Sequence, residues 1–404
     1  MPARATKRKK LSPATSNMLS AGENHTAFTT WSRDRGVEIG NVAPAKLPGK
    51  GLGLVTTQNI SKDERMLFIP EKAMFKPDLA LLKKAKLSHA SPQAQLAYST
   101  TMTCRNGNEG LRIWRATWPT DEDFEHSLPM RWPKELRKHL PPSIDQPLRR
   151  QEEDYAKDLT AVRASHDSGS DFDEDEFRYC WSIVNSRSFH WKPARKGSAG
   201  SMVMCPFIDY LNHGSSGTSC SIVQRPHGYE VLAERDYESG EEVLATYGAH
   251  TNDKLLIHYG FVLPSNPSTP NIDDDIRLDH ILLPALAESV SSQLQDTGFL
   301  GGYALLPASN ELCFKTQVAV RAILLTSNEW EYFVSSGEDL AQDQTAAVSK
   351  FMRPLLMKFR DDVREKLEIL GEDDVASVGL KNEVGILTTR WKQIVDALDA
   401  FLTE

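Results

Sequence analysis

Hydrophobic and polar positions change rhythm several times along this 404-residue chain. Residues 1–22 are polar and basic with no apolar periodicity, and they read as a disordered tail. Phe28 and Trp31 mark the start of order as a short helix. Gly51-Leu52-Gly53-Leu54-Val55, after Pro48, begins a strand pattern, and Met66-Leu67-Phe68-Ile69 forms a second strand that stops at Pro70. From about 78 to 180 the period lengthens. Prolines punctuate this stretch, and Leu148, Tyr155, Leu159 and Val162 fall at helical spacing, as do Phe177, Trp181 and Val184, which predicts a helical insertion.

Strand character returns after the Gly/Ser-rich residues 197–201. Val203 to Ile208 reads as one strand, Tyr229 to Glu234 alternates, and Glu242-Val243-Leu244-Ala245 follows a turn. Leu255, Leu256 and Tyr259 suggest a short helix, and Pro264, Pro267 and Pro270 then set a domain boundary near 264–275. Beyond it, Leu356, Phe359, Val363, Leu367 and Leu370 recur at spacings of three and four. So do Leu387, Trp391, Ile394, Val395, Leu398 and Leu402, the pattern of core stripes in a helix bundle. The pattern predicts an α+β protein: a strand-bearing region over 23–264, split by the helical insertion, then an all-helical domain over 275–404.

Composition narrows the class. No apolar run approaches the ~18–20 residues that span a bilayer, and Met1 to Lys10 lacks the apolar stretch of a secretory signal. Five cysteines without a C-x-x-C pair argue against a disulfide scaffold or zinc ribbon and for a reducing compartment. The net charge of −8 is uneven. Residues 1–10 carry five basic groups and no acid, and Lys7-Arg8-Lys9-Lys10 is a candidate nuclear localisation patch. Residues 271–404 hold 12 basic and 23 acidic residues. Such a surface serves solubility, repels nucleic acid and favours basic partners. The acidic run at 167–176 reads as a solvated linker rather than a metal loop.

Three segments carry candidate chemistry. Gly51-Leu52-Gly53 does not continue as a dinucleotide fingerprint, because Thr56 stands where a third glycine is needed and a strand follows; it offers bare backbone for close approach to a ligand. Asp209-Tyr210-Leu211-Asn212-His213 places three hydrogen-bonding side chains directly after a strand, with no second His or Cys at zinc spacing near His213. Ala245-Thr246-Tyr247-Gly248 and His258-Tyr259-Gly260-Phe261 flank a short helix and, alone, are packing aromatics.

In this order, together with Ser186-Arg187-Ser188-Phe189, the segments resemble the SET-domain methyltransferases, in particular the subgroup typified by the Rubisco large-subunit lysine methyltransferase. The resemblance implies a split SET core with a C-terminal substrate-binding domain and S-adenosylmethionine as cofactor. By it, Gly51, Leu52 and Gly53 line the cofactor. Arg187 holds its carboxylate, Asn212 and His213 bind the adenosine, and Asp209 supports the same site. Tyr247 is then the catalytic tyrosine, also at the cofactor, and Tyr259 lines the lysine channel. It further implies a multi-sheet β core and a protein substrate presenting a lysine. The acidic C-terminal third favours a basic, non-histone substrate, for instance a ribosomal protein, and the basic tail without a secretory signal fits the nucleus or cytoplasm; no membrane, metal or direct nucleic-acid binding is expected.

Departures from the family pattern bear on the details. Lys50 stands where relatives often carry Glu. Ser219, Cys220, Ser221 and Ile222 occupy the stretch where some relatives place a third tyrosine, which leaves the number of methyl groups open. Cys313 is the one cysteine after residue 220, so the cysteine-rich zinc motif of histone-directed relatives is missing. Two alternatives stand beside the lysine reading. One is a histidine acceptor, as in the actin-histidine methyltransferases, which lack a tyrosine at the position matching Tyr259. The other is a catalytically inactive scaffold of the same fold.

Overall fold

A computed structural model describes residues 19–166, 172–193, 200–215, 217, 219–264, 271–340, 344–371 and 381–403. The basic patch at Lys7–Lys10 and the first half of the acidic run lie outside the described residues. The chain forms two compact units, one of Met1–Asp121 with Asp154–Gly248 and the other of Glu122–Glu153 with Ala249–Glu404.

The first unit is built on two small sheets. One runs in the order Leu19–Ser20, Val42–Leu47, Gly51–Thr56, Glu242–Ala245, Asn212–His213, and the other in the order Glu38–Ile39, Arg65–Pro70, Gly228–Leu232, Ser221–Arg225. A separate hairpin pairs Ser188–Trp191 with Ser201–Met204. The strands read from the sequence at 51, 66, 229 and 242 are all present. The strand expected over Val203–Ile208 stops at Met204. Pro206 cannot donate to a ladder, and Phe207 takes a positive φ of 75°, so the chain leaves the sheet and makes a short turn at Ile208–Tyr210.

Helices supply the rest of this unit. The short N-terminal helix is Glu23–Asp34, with Phe28 fully buried. The predicted insertion contains Pro92–Arg105, Glu109–Arg115 and Pro142–Ala164, the last of which belongs to the second unit up to Glu153, and the helix Glu174–Arg187 follows. The second half of the acidic run is not a linker. The Asp173 side chain accepts from the Glu176 amide at 2.9 Å, and Glu174, Asp175 and Glu176 occupy the first turn of that helix, where carboxylates meet the positive end of the backbone dipole.

The second unit is largely helical, as expected, with one small sheet that periodicity did not announce: Ile276–Arg277, Ala304–Leu306 and Glu311–Leu312. Strands this short carry too few alternations to read. The two stripes near the C-terminus lie on the helices Thr345–Leu370 and Lys381–Thr403, which pack on each other around Leu356, Val363, Leu387 and Leu398. Trp391 is a packing residue whose indole donates to the His139 carbonyl at 2.8 Å.

Arg390 is fully buried in this core and bonds Asp253 and Asp274, each at 2.7 Å. Asn252 and Gln393 complete the network, with Asn252 Nδ2 donating to Gln393 Oε1 at 2.9 Å. Truncating one member strands the opposite charges in a low-dielectric interior. Arg390→Met is expected to destabilise the protein by about 3–5 kcal/mol, read from urea unfolding.

Asp275 lies beside this network. Burial pushes its carboxyl up to about 6 against the opposing pull of Arg277. The folded protein therefore keeps a proton that the unfolded chain releases near 3.8, so stability falls as pH rises between those two values. Asp275→Asn removes the titration. Its stability relative to wild type should climb from about pH 4 to about 6 and then level off, as checked by denaturant melts across that range.

Candidate active site

The site is assembled by strand register in the first unit. Glu242–Ala245 pairs antiparallel with Gly51–Thr56, placing Glu242 opposite Val55 and Val243 opposite Leu54. Its other edge pairs parallel with the two-residue strand Asn212–His213, Leu244 opposite Asn212 and Ala245 opposite His213. Three segments far apart in sequence thus become neighbours. The Asn212 side chain locks them: its amide donates to the Leu52 carbonyl at 2.9 Å and to Glu242 Oε1 at 3.0 Å.

Glycine is required at position 53 by space. A Cβ there would come within 2.9 Å of Asn212 Nδ2 and 2.5 Å of Leu47 Cδ1. Gly51 has φ of 76°, which favours glycine, and open space on its Cβ side, so the strand's entry presents uncovered backbone. Lys50 is accounted for. Its ammonium pairs with Glu242 at 2.6 Å, so a carboxylate stands beside this strand after all, supplied by residue 242.

Asp209 and Arg187 support the same region. Asp209 is half-buried, and burial raises its carboxyl above the usual range, opposed by Arg187 and by the Trp114 indole, which donates to Oδ2 at 3.1 Å. Arg187 ends the helix Glu174–Arg187, and its guanidinium donates to the Asp209 carbonyl at 2.9 Å. Its buried Nε has no hydrogen-bond partner among the described residues, which leaves a cationic donor available. Phe207 holds its positive φ because its buried ring packs against Tyr210 and Phe28, with centroids 5.3 and 6.3 Å apart; such a backbone costs of order 1–3 kcal/mol.

Tyr247 follows the Glu242–Ala245 strand. Its amide donates to His213 Nδ1 at 3.1 Å, its hydroxyl donates to the Leu211 carbonyl at 2.7 Å, and its ring lies 5.1 Å from that of His213. Gly51, Leu52, Gly53, Arg187, Asp209, Asn212, His213 and Tyr247 are thus linked through one set of strands, turns and hydrogen bonds. Tyr259 belongs to the second unit. It closes the helix Asn252–Tyr259, which Gly260 caps in the left-handed conformation, and its ring neighbours His250 and Phe261. Burial raises its phenol, so it stays neutral at physiological pH.

Sequence reading missed Trp114 and Glu242. Trp114 comes from the helical insertion, ninety-five residues before Asp209, and no local pattern links them. Glu242 had a signal, because it is the charged residue on the alternating strand that leads to Tyr247.

Comparison with known proteins agrees with this geometry. Residues 51–248 match the family model of the SET domain. The ribosomal lysine N-methyltransferase set11 of Schizosaccharomyces pombe is 26% identical over 197 residues, covering 49% of this chain and 46% of that protein. Human SET domain-containing protein 4 is 24% identical over 260 residues, 59% of this chain and 58% of that one. The dog actin-histidine N-methyltransferase is 22% identical over 264 residues, 58% of this chain and 42% of that one. The chain spans about half the length of these relatives. Among solved structures, the SET domain of LSMT bound to methyllysine and AdoHcy superposes with a TM-score of 0.60 at 16% identity, covering 95% of this chain and 93% of that one. Rubisco LSMT bound to AdoMet gives 0.59 at 17% identity, with 95% and 93% covered. Residues 51–248 are thus similar to the SET domain, and the chain shares the fold of the Rubisco LSMT structures.

The contact between Gly53 and Asn212 can be tested by a double-mutant cycle. Gly53→Ala should destabilise the protein, and the loss should shrink once Asn212→Ala has removed the amide that the new methyl group meets. The expected coupling is about 0.5–3 kcal/mol by chemical denaturation, whereas additive effects would place the two residues apart.

Proposed function

We propose that the chain is an S-adenosylmethionine-dependent protein methyltransferase whose acceptor is a lysine amine. The observation that carries this reading is the convergence of Leu52, Asn212, His213 and Tyr247 through the Glu242–Ala245 strand, with Arg187 beside it. These residues fit the cofactor's chemistry. The spare Arg187 Nε suits a carboxylate, which a guanidinium can take in bidentate fashion. The open backbone at Gly51 and Leu52 allows close approach, and Asn212 and His213 stand on the neighbouring strand for the adenosine. Bound there, the cofactor would supply a methyl group on a positively charged sulfonium.

The chain's own part is alignment and desolvation. A free lysine has a pKa of about 10.4 and attacks only when neutral. An apolar aromatic lining near a positive charge disfavours the ammonium. Tyr247 holds its hydroxyl on the Leu211 carbonyl, a fixed orientation that suits an in-line transfer, where pre-alignment lowers the entropic part of the barrier. Carbonyl and hydroxyl oxygens there also suit weak C–H···O contacts with a methyl group.

The lysine assignment is supported by Tyr259-Gly260-Phe261, which retains the tyrosine that actin-histidine enzymes lack at the matching position. The histidine reading is kept by the 22% identity to an actin-histidine enzyme over 58% of this chain. The acidic residues 271–404 favour a basic protein as substrate, and the basic segment at 1–10 favours a nuclear share of the protein; both are parts of the proposal.

Incubating the protein with methyl-labelled S-adenosylmethionine and an extract from cells lacking the gene tests the activity. Fragment spectra of the labelled peptide should place the methyl group on lysine; label on histidine would favour the second reading, and no label with no cofactor binding by calorimetry would favour an inactive scaffold. Tyr247→Phe should lower turnover at least about tenfold, roughly 1.4 kcal/mol of barrier, while cofactor affinity persists.

A further inference from the structure

Behind the Trp114–Asp209–Arg187 contacts lies a second cluster that the methyl-transfer reading does not use. Cys104 sits in the last turn of Pro92–Arg105, and Cys180 in the middle of Glu174–Arg187, two helices that pack against each other. Both sulfurs and a Glu176 carboxylate oxygen lie within 4.8 Å of one another. The two thiols differ in setting. Cys180 is wholly buried, donates toward Glu176 Oε1 at 3.6 Å and hydrogen-bonds the Cys104 sulfur. Cys104 is partly exposed and faces the Arg115 guanidinium.

Two uses of such a cluster compete, a soft metal ion or thiol chemistry. Arg115 decides between them. Its two terminal nitrogens take both oxygens of Glu176, one pair at 2.8 Å, so the carboxylate is already neutralised by a cation. A metal ion bound by the thiolates would sit against that guanidinium. The same cation favours a thiolate on Cys104, because a thiolate gains from a neighbouring positive charge and from thiol donors.

We propose that Cys104 and Cys180 form a peroxide-responsive dithiol that closes to an intrachain disulfide, with Cys104 as the attacking and Cys180 as the resolving residue. The Cys104 thiolate attacks one oxygen of hydrogen peroxide. The S–O bond forms, the O–O bond breaks, sulfur is oxidised to a sulfenic acid and hydroxide leaves to be protonated to water. The Cys180 sulfur then attacks the sulfenic sulfur, its proton passing to the departing hydroxyl. The S–S bond forms, the S–O bond breaks and a second water leaves. In sum, two thiols and one peroxide give one disulfide and two waters.

The asymmetry of the pair matches these roles. The hydrogen bond from Cys180, and then Arg115, hold the Cys104 thiol below its ordinary value, whereas that same hydrogen bond, together with burial, holds Cys180 above it. The sulfurs must close to the ~2.05 Å of a disulfide. Cys104 stands one residue before the end of its helix, and the chain then turns through Gly107 at φ of 69°, so its side of the cluster can shift by local unwinding.

The test uses the reduced full-length protein, hydrogen peroxide, alkylation and intact-mass analysis with peptide mapping. The expected product is lighter by two hydrogens, contains the Cys104–Cys180 linked peptide, and reverts with a dithiol reductant. Cys180→Ser should stop at a Cys104 sulfenic acid trapped by dimedone, and Cys104→Ser should slow oxidation of Cys180 at least about tenfold. Oxidation spread over Cys205, Cys220 and Cys313, or an unchanged product in Cys180→Ser, would overturn the proposal. So would stoichiometric binding of added Zn²⁺ that Cys104→Ser abolishes, which would make the cluster a metal site. All readouts are of sulfur chemistry and are independent of whether the protein transfers methyl groups.

Discussion

The parallel pairing of Asn212–His213 with Glu242–Ala245 is the constraint on which the site depends. A strand of two residues has few backbone bonds of its own, so it is held from outside. The Asn212 amide ties it across its neighbour to Leu52, and Glu242 receives the same amide. Tyr247 then returns over the strand to bond His213 and the Leu211 carbonyl. Gly51, Leu52, Gly53, Asn212, His213 and Tyr247 lie on this framework or one hydrogen bond from it, and Arg187 and Asp209 join it through the turn before Asn212.

The framework is expensive to hold. Phe207 carries a strained backbone, and Asp209 keeps a carboxyl oxygen away from water. Both are tolerated because an aromatic cluster surrounds them: Phe28 from the N-terminal helix, Trp114 from the insertion, and Tyr210 from the turn itself. The helical insertion is therefore more than an extension of the chain. Through Trp114 it supplies a donor to Asp209 Oδ2, and through Arg115 it supplies the cation beside the Cys104–Cys180 pair. Strain and buried polarity gathered at one place, and offset by packing elsewhere, are what a functional site is expected to show.

Much of this was legible in the residues. Alternation marked the strands at 51, 66, 229 and 242, and three-four spacing marked the long C-terminal helices, because both periods are local consequences of backbone geometry. The motif order singled out residues that strand pairing then brings together. The strand expected over Val203–Ile208 failed at Pro206 and Phe207, where apolar residues serve a tight turn instead of a ladder. The acidic run misled in a similar way. Carboxylates at 173–176 cap a helix, a use that resembles a linker when only charge is counted.

Sequence alone determined the longer helices, the strands at 51, 66, 229 and 242, the charge asymmetry between the two ends of the chain and the identity of the motif residues, since these are read from the residues without knowing what they meet. Tertiary structure decided which distant residues meet. It paired Trp114 with Asp209, Lys50 with Glu242 and Cys104 with Cys180, and it buried Arg390 between Asp253 and Asp274. Those partnerships depend on strand order and helix packing, which no local period encodes. For that reason the five cysteines, which at first indicated only a reducing compartment, came to include a thiol pair with chemistry of its own.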